Sequence, residues 1–117
     1  MMIQIYGIPN CDSVKKARDW FDMHGISYAF HDYKKQGVPE PLLRQWVQAR
    51  GWEVLLNRKG TTWRELDAAA KASVVNAESA IAVMLAHVST IKRPVITRGD
   101  ALVIGVDVAA LALLTAS

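Results

Sequence analysis

The N-terminal third of the chain changes from an alternating to a helical hydrophobic pattern. Residues 2–7, "MIQIYG", alternate as in a half-buried strand. Apolar Val14, Ala17 and Phe21 then recur at helical spacing, after Asn10, which can act as an N-cap. A second strand-like run, "SYAFHDY", follows. We therefore expect two parallel strands joined by a right-handed helical crossover.

The middle of the chain has the pattern of helices rather than strands. "VPEPLLRQWVQARG" contains prolines that suit a first helical turn and ends on a glycine, Gly51. In "TTWRELDAAAKA", Thr62 and Glu65 have the spacing of a capping box, and Asn76 is a predicted N-cap for "NAESAIAVMLAHVS". Each of these three stretches predicts a helix.

The C-terminal part returns to β-branched runs. "RPVITRGDALVIGVD" has two such runs around a short turn sequence, which predicts an antiparallel hairpin, and "VAALALLTA" predicts a final helix. The order β-α-β … β-β-α indicates an α/β fold with a thioredoxin-like mixed four-stranded sheet and a helical insertion. We expect residues 1–33 and 89–117 to form the α/β unit and residues 34–88 the insertion, within a single compact domain.

Composition indicates one soluble globular domain of 117 residues, of which 51% are hydrophobic and 21% charged. No apolar run reaches the ~18 residues of a membrane span, and no basic segment precedes the N-terminal apolar run, so we expect a cytoplasmic location. The net charge of +3 arises from scattered basic pairs rather than a contiguous stripe. This argues against a nucleic acid partner, while a small anionic ligand remains open.

The single cysteine, Cys11, lies where the first predicted strand ends and the first helix begins. Unpaired backbone N–H groups and the positive end of the helix dipole favour a thiolate there. Lys15 would add positive potential, whereas the neighbouring Asp12 opposes it. A lone cysteine is often only a small buried side chain. The turn before Cys11 and the nearby cations favour a reactive, reduced thiol instead.

Residue spacing around Cys11 excludes several other chemistries. A dithiol oxidoreductase needs C-x-x-C, but the fourth position is Val14, so a resolving thiol must come from another molecule. A tyrosine-phosphatase loop needs arginine six residues after the cysteine, where this chain has Ala17. The histidines are irregularly spaced and a second cysteine is lacking, so we expect no metal cofactor.

Four stretches together carry a resemblance to a known family: "IYGIPNCDSVKKARDWF", "HDYKKQGVP", "LLNRKGTTWREL", and "KRPVI" followed by "VIGVD". The chain resembles the arsenate-reductase (ArsC-like) family, and most closely its small bacterial YffB branch, whose members are described as glutathione-dependent thiol reductases. The Spx regulators share the fold at a greater distance. The resemblance covers nearly the whole chain and implies a thioredoxin-like α/β unit with a helical insertion.

The resemblance also implies roles for individual residues. Cys11 matches the catalytic thiol, and Arg58 and Arg93 match arginines that surround the anion and the cysteine–arsenic intermediate. Pro94 matches the thioredoxin-fold proline that is usually cis and faces the cysteine. Glutathione is the expected co-substrate, forming a mixed disulfide with Cys11. The candidate glutathione-binding residues are Arg58, Lys59, Arg93, Pro94 and Lys15.

Two departures from the family pattern bear on the substrate. A histidine in the cysteine loop of the arsenate reductases corresponds here to Gly7, and an arginine of their anion site falls at or near Ile104. Thiol exchange needs mainly a thiolate and a few cations, so the expected function is a glutathione-dependent thiol reductase acting on a small-molecule or protein disulfide. Two alternatives stay open. One is arsenate reduction that depends on glutathione or glutaredoxin, and the other is a Spx-like, non-enzymatic protein that binds RNA polymerase.

Overall fold

The computed structural model describes residues 2–116, which include a four-stranded mixed sheet. Its strands are Ile3–Gly7 (β1), Tyr28–Asp32 (β2), Val95–Arg98 (β3) and Ala101–Ile104 (β4). The strand order is β2-β1-β3-β4. β1 and β2 are parallel, whereas β3 is antiparallel to both β1 and β4. The predicted α/β fold with a thioredoxin-like mixed four-stranded sheet is confirmed.

Helices make up most of the remaining described chain. They are Asp12–Met23 (α1), Tyr33–Gln36 (α2), Glu40–Arg50 (α3), Trp52–Leu55 (α4), Thr61–Glu65 (α5), Ala68–Ala72 (α6), Ala77–Ala86 (α7), the 3₁₀-helix Val88–Thr90, and Val108–Thr115 (α8). Helices α2, α4, α5 and α6 have four or five residues, too few for a hydrophobic period to identify them. Across residues 2–116, none of the helices is long and apolar enough to cross a membrane.

Helix α1 buries the side that its hydrophobic pattern predicts, but it begins one residue later than expected. Its N-cap is Cys11 rather than Asn10, which lies exposed in the preceding turn. The Cys11 N–H donates to the Ile8 carbonyl at 3.2 Å, which closes that turn before the helix starts. The buried side chains of α1 are Val14, Ala17 and Phe21.

One apolar cluster joins the sheet to α1 and α8. Side chains alternate between the two faces of a strand, so Ile3 and Ile5 of β1 point to the same face. Their buried partners come from α1, β3 and α8, and therefore this face of the sheet is covered by helices. The cluster consists of Ile3, Ile5, Ala17, Phe21, Ile96, Leu111 and Leu114.

The chain divides into two units. The first comprises the residues up to Gly37 together with those from Arg93 onward, and the second is Val38–Lys92. All four strands belong to the first unit. The second contains helices α3 to α7, the 3₁₀-helix and an isolated antiparallel bridge between Leu56 and Ile91.

The stretch 61–72 of the second unit was predicted as one helix and is two short ones. The side chain of Asp67 accepts a backbone hydrogen bond as the N-cap of α6, which starts a new helix. The predicted capping box between Thr62 and Glu65 is wrong, because Gly60 is the N-cap of α5 and no side-chain hydrogen bond caps this described helix. A turn-forming aspartate therefore outweighs the helical composition of the stretch.

Helix α7 begins with the predicted N-cap. Asn76 Oδ1 accepts from the Ser79 N–H at 3.0 Å, and Ser79 Oγ accepts from the Asn76 N–H at 3.0 Å. This reciprocal pair satisfies two backbone donors at the helix start. The buried side chains of α7 are Ala80, Ile81, Val83 and Met84.

Candidate active site

Cys11 lies just beyond the carboxyl end of β1, at the first turn of α1. Its backbone is extended (φ −92°, ψ 127°), and its carbonyl accepts the Lys15 N–H at 3.0 Å. The side chain is half-buried. The local backbone therefore holds the sulfur in place while part of the side chain stays accessible to solvent.

The protein lowers the pKa of the Cys11 thiol. Burial is the largest single influence and raises the pKa. The backbone N–H of Val14, the hydrogen bond and charge of the Arg93 guanidinium, and the backbone N–H of Ser13 act in the opposite direction and together outweigh burial. A lower pKa increases the thiolate fraction near neutral pH, and the thiolate is the nucleophile. The positive charge comes from Arg93, far away in sequence, while Lys15 is exposed on α1.

Arg93 and Pro94 immediately precede β3. Because β3 is antiparallel to β1, its first residue, Val95, pairs with Tyr6 near the end of β1. The start of β3 thus lies at the same edge of the sheet as Cys11. The Arg93–Pro94 peptide bond is cis, as the resemblance implies, and the Pro94 carbonyl accepts the backbone N–H of residue 105 at 2.8 Å. The fold therefore brings Arg93 to the Cys11 sulfur, with Pro94 beside it in the chain.

Tyr33 and Tyr6 belong to the surroundings of the site, although the sequence pattern singled out neither. Tyr33 directly follows β2 at the same edge of the sheet and is 2% exposed. The ring of His31 lies with its centroid 5.2 Å from that of Tyr6 and 6.1 Å from that of Tyr33. Burial and, to a smaller extent, Tyr6 raise the pKa of Tyr33, while the charge of Arg93 opposes them, so the phenol stays neutral. The signal in the sequence was a tyrosine directly after the second of two parallel strands.

Arg58 and Lys59 lie in the exposed loop between α4 and α5 of the second unit. The Arg58 Cζ is 5.5 Å from the centroid of the Trp52 ring, close enough for cation–π attraction to restrain the guanidinium. The Lys59 N–H donates to Asn57 Oδ1 at 3.1 Å, which shapes the loop. Both residues are accessible to an anion, and their binding roles stay predictions.

Gly7, the last residue of β1, has little room for a side chain. A Cβ there would lie 2.7 Å from Cγ2 of Val14, which is fully buried. The histidine that the resemblance places here in arsenate reductases would therefore require Val14 to move. Position 104 is the second place where the chain differs from the arsenate-reductase pattern. Ile104 is a half-buried residue of β4 opposite Val95. Neither position offers a polar side chain to an oxyanion.

The candidate site is defined by the thiol and its immediate neighbours. Within residues 2–116 no group of three or more His, Cys, Asp or Glu side chains is arranged to hold a metal ion. One surface cavity, of about 350 Å³, lies at the start of β2, at the opposite end of the sheet from Cys11. It is lined by Asp22, Gly25, Ile26, Ser27 and Tyr28.

Comparisons by sequence and by structure agree on the relatives of this chain. A protein of Haemophilus influenzae is 41% identical over 104 residues, which cover 89% of this chain and 90% of that protein. The structure of a protein named YFFB matches with a TM-score of 0.93 and 45% identity, covering 98% of this chain and 100% of that chain. The solution structure of an arsenate reductase (ArsC) related protein from Brucella melitensis matches with a TM-score of 0.75 and 46% identity, covering 97% of this chain and 93% of that chain. The family model described as "ArsC family" matches residues 6–112. The chain therefore belongs to the ArsC family, which confirms the resemblance shown by its motifs.

Proposed function

We propose that this protein is a glutathione-dependent thiol reductase with one nucleophilic cysteine. Membership of the ArsC family and the similarity to an arsenate reductase (ArsC) related protein support oxidoreductase chemistry. The observation that carries the proposal is a half-buried thiol whose pKa is lowered by helix N–H groups and by Arg93, in a chain with one cysteine. Such a thiol can attack a disulfide, but a second molecule must supply the thiol that completes the reaction.

The proposed cycle consists of two thiol–disulfide exchanges. In the first, the Cys11 thiolate attacks the glutathione sulfur of a glutathionylated substrate. An S–S bond forms between Cys11 and glutathione, and the substrate leaves as a thiolate with the electron pair of the broken bond. In the second, a glutathione thiolate attacks the glutathione sulfur of the mixed disulfide, which releases glutathione disulfide and restores the Cys11 thiolate. The proton of the incoming glutathione thiol passes through solvent to the substrate thiolate.

Cations bind the carboxylates of glutathione in this proposal. Arg93 lies beside the reacting sulfur, Arg58 and Lys59 supply charge from an exposed loop, and Lys15 adds charge on α1. The backbone beside Pro94 pairs with the cysteine portion of glutathione as an added strand. The reaction takes place in the cytoplasm, where glutathione is reduced, and its substrate is a small-molecule or protein disulfide.

The test described below also distinguishes two alternative functions. Arsenate reduction with glutathione or glutaredoxin would use the same thiol, but a glycine at position 7 and an isoleucine at position 104 remove polar groups that the family places around the anion. A Spx-like role in binding RNA polymerase would need no thiol turnover. Loss of Cys11 would then leave the function intact.

The test measures the adduct at Cys11 and the turnover of substrate in the same preparation. Wild-type protein incubated with glutathione disulfide should gain one glutathione per chain by intact mass and lose it again in reduced glutathione. It should also reduce a glutathionylated peptide catalytically. Cys11→Ser should show neither adduct nor turnover and should keep its thermal midpoint, because serine is nearly isosteric. Ser13→Ala is the matched control and should retain both activities, because the backbone N–H of Ser13, and not its hydroxyl, acts on the sulfur.

Three results would overturn the proposal. The first is a folded wild-type protein that forms no glutathione adduct, and the second is turnover that survives in Cys11→Ser. The third is arsenate reduction that is faster than peptide reduction at equal glutathione, which would assign the site to arsenate. An inactive wild-type protein that binds purified RNA polymerase, with or without Cys11, would assign the Spx-like role.

A further inference from the structure

The hydroxyl of Tyr33 is buried and has no hydrogen-bond partner among residues 2–116. The residue is 2% exposed, and its ring packs at an edge-on angle of 65° against the ring of His31. Leaving a buried hydroxyl unsatisfied destabilises the folded state, and phenylalanine in the same place would remove that destabilisation. The fold thus holds a polar group ready for a partner that it does not have in this state.

Tyr33 and Cys11 share a charged neighbour, Arg93. All three belong to the first unit, at the edge of the sheet where β1 and β2 end and β3 begins. The Arg93 guanidinium hydrogen-bonds the Cys11 sulfur, and its charge also acts on the Tyr33 phenol, which burial keeps neutral. The oxygen of a neutral phenol has lone pairs that can accept a hydrogen bond from a guanidinium N–H.

We propose that the Tyr33 hydroxyl is the alternative hydrogen-bond acceptor of Arg93, used whenever Cys11 carries no negative charge. The inference rests on the thiol exchange proposed above. When the Cys11 thiolate attacks a disulfide, a new S–S bond forms at Cys11, the old S–S bond breaks, and its electron pair leaves on the departing thiolate. Cys11 thereby loses its charge, and the half-buried guanidinium of Arg93 loses the anion that held it.

Tyr33 is in this way a positioning residue that acts through Arg93. By accepting a hydrogen bond from the guanidinium in the mixed disulfide, it stabilises that intermediate and keeps Arg93 beside the sulfur. When the second thiol removes the adduct, Arg93 is in place to stabilise the thiolate that forms again. Arg93 likewise moves its hydrogen bond from Cys11 to Tyr33 when the thiol is protonated.

The test uses a disulfide that does not depend on a glutathione-binding site. The probe is 2-mercaptoethanol with its own disulfide, and the ratio of mixed disulfide to reduced protein is measured by intact mass after acid quenching. At a pH where wild-type Cys11 is mostly thiolate, Tyr33→Phe should lower this ratio about tenfold, because one hydrogen bond to a charged group is lost from the mixed disulfide alone. The pH dependence of alkylation should show a lower pKa of Cys11 in Tyr33→Phe. The substitution removes the hydrogen bond from Arg93 to Tyr33 in the state with a protonated thiol, so that state is destabilised relative to the thiolate.

Thermal midpoints separate this role from a purely structural one. In the reduced state Tyr33→Phe should be at least as stable as the wild type, whereas as the mixed disulfide it should be less stable. Tyr28→Phe is the matched control, because it removes a hydroxyl that accepts from Arg18 Nε at 3.2 Å at the other end of β2. This control should leave the exchange equilibrium and the pKa of Cys11 unchanged.

A second measurement needs no substitution. In wild-type protein labelled with ¹³C at tyrosine Cζ, the Tyr33 signal should shift when the mixed disulfide forms, and the Tyr28 signal should not. The proposal is overturned if the Tyr33 signal stays in place, if Tyr33→Phe leaves the ratio and the pKa unchanged, or if it destabilises both states equally. If the wild type exchanges with 2-mercaptoethanol disulfide but not with glutathione disulfide, the proposed function fails, while the same data still decide the role of Tyr33.

Discussion

The two units of the molecule hold the predicted site residues in different structural settings. The first places Cys11, Arg93 and Tyr33 at one edge of a hydrogen-bonded sheet, next to strand ends whose register is set by pairing. The second holds Arg58 and Lys59, which are predicted to bind glutathione, in an exposed loop between two short helices. Residues at the ends of paired strands are restricted to a narrow range of positions, which suits the reacting sulfur and its charge partner. A surface loop tolerates change and suits the recognition of charged groups on a ligand.

The two units differ in the space around one glycine each, Gly7 and Gly60. Substituting these glycines should give the largest difference in stability. Gly7→Ala should lower the free energy of unfolding by about 2 kcal/mol, because the new Cβ meets buried Val14 in a filled core. Gly60→Ala in the second unit should cost less than about 1 kcal/mol. The atom nearest to its Cβ would be Nδ2 of Asn57, at 2.9 Å, which is at the end of a flexible side chain, while the backbone oxygen of Asn57 lies farther away, at 3.9 Å. Urea denaturation of the two variants measures both values.

Equal losses in the two variants would contradict this contrast. A further check combines Gly7→Ala with Val14→Ala, which removes the methyl group that the new Cβ would meet. The double variant should lose less stability than the sum of the two single losses, because Val14→Ala removes the close contact that Gly7→Ala creates. Simple additivity would mean that the contact at Gly7 does not limit the position.

Removing Arg93, the charge partner of Cys11, should give the next largest effect, on the pKa of the thiol. Arg93→Gln should raise the pKa of Cys11, because the variant loses both the hydrogen bond and the positive charge that the guanidinium supplies to the sulfur. The wild-type pKa is lowered, so removing Arg93 moves the inflection of the alkylation rate to higher pH. At pH 7 alkylation should slow severalfold, whereas at a pH well above both pKa values the rates should agree. The rate of iodoacetamide alkylation against pH measures this shift.

Lys92→Gln is the control for Arg93→Gln, because Lys92 is the preceding cation and is exposed. It should leave the inflection unchanged, since long-range charge at a solvated position is screened by salt. A shift of the same size in both variants would mean that general positive potential, rather than the contact with Arg93, lowers the pKa. The position of Arg93 at the sheet edge would then not be needed to lower the pKa of Cys11.

The loop of the second unit should give the smallest effect. Arg58→Gln should raise the KM for glutathione about threefold, or ~0.6 kcal/mol, with kcat unchanged, because an exposed cation contributes modestly to binding a carboxylate. Steady-state reduction of a glutathionylated peptide at varied glutathione measures it. Arg64→Gln, an exposed cation of α5, should leave KM as it is. A fall in kcat in Arg58→Gln would place Arg58 among the groups that act on the reacting atoms.

Local patterns in the sequence were sufficient for the four strands, for helices α1, α3, α7 and α8, and for the position of Cys11 at the start of α1. The alternating run before Cys11 and the helical spacing of Val14, Ala17 and Phe21 predicted β1 and α1. The helical spacing matches the buried side of α1, whereas β1 is buried at every position except Gln4. The hairpin and the last helix followed from β-branched runs and turn residues. Each of these features depends on neighbours within a few positions, and such interactions can be recognised in one stretch of chain.

What only the tertiary structure decided was which distant side chains meet the sulfur. Arg93 was expected from the family pattern, but its hydrogen bond to Cys11 follows from the antiparallel pairing of β3 with β1. The charge of Arg93 acts on Tyr33, which follows β2 where that strand ends beside β1. Its unsatisfied hydroxyl is visible only once the protein around it is in place. The direction of the pKa shift at Cys11 was likewise open in the sequence. It is the balance of burial against charges and N–H groups, whose distances are set by packing between segments far apart in the chain.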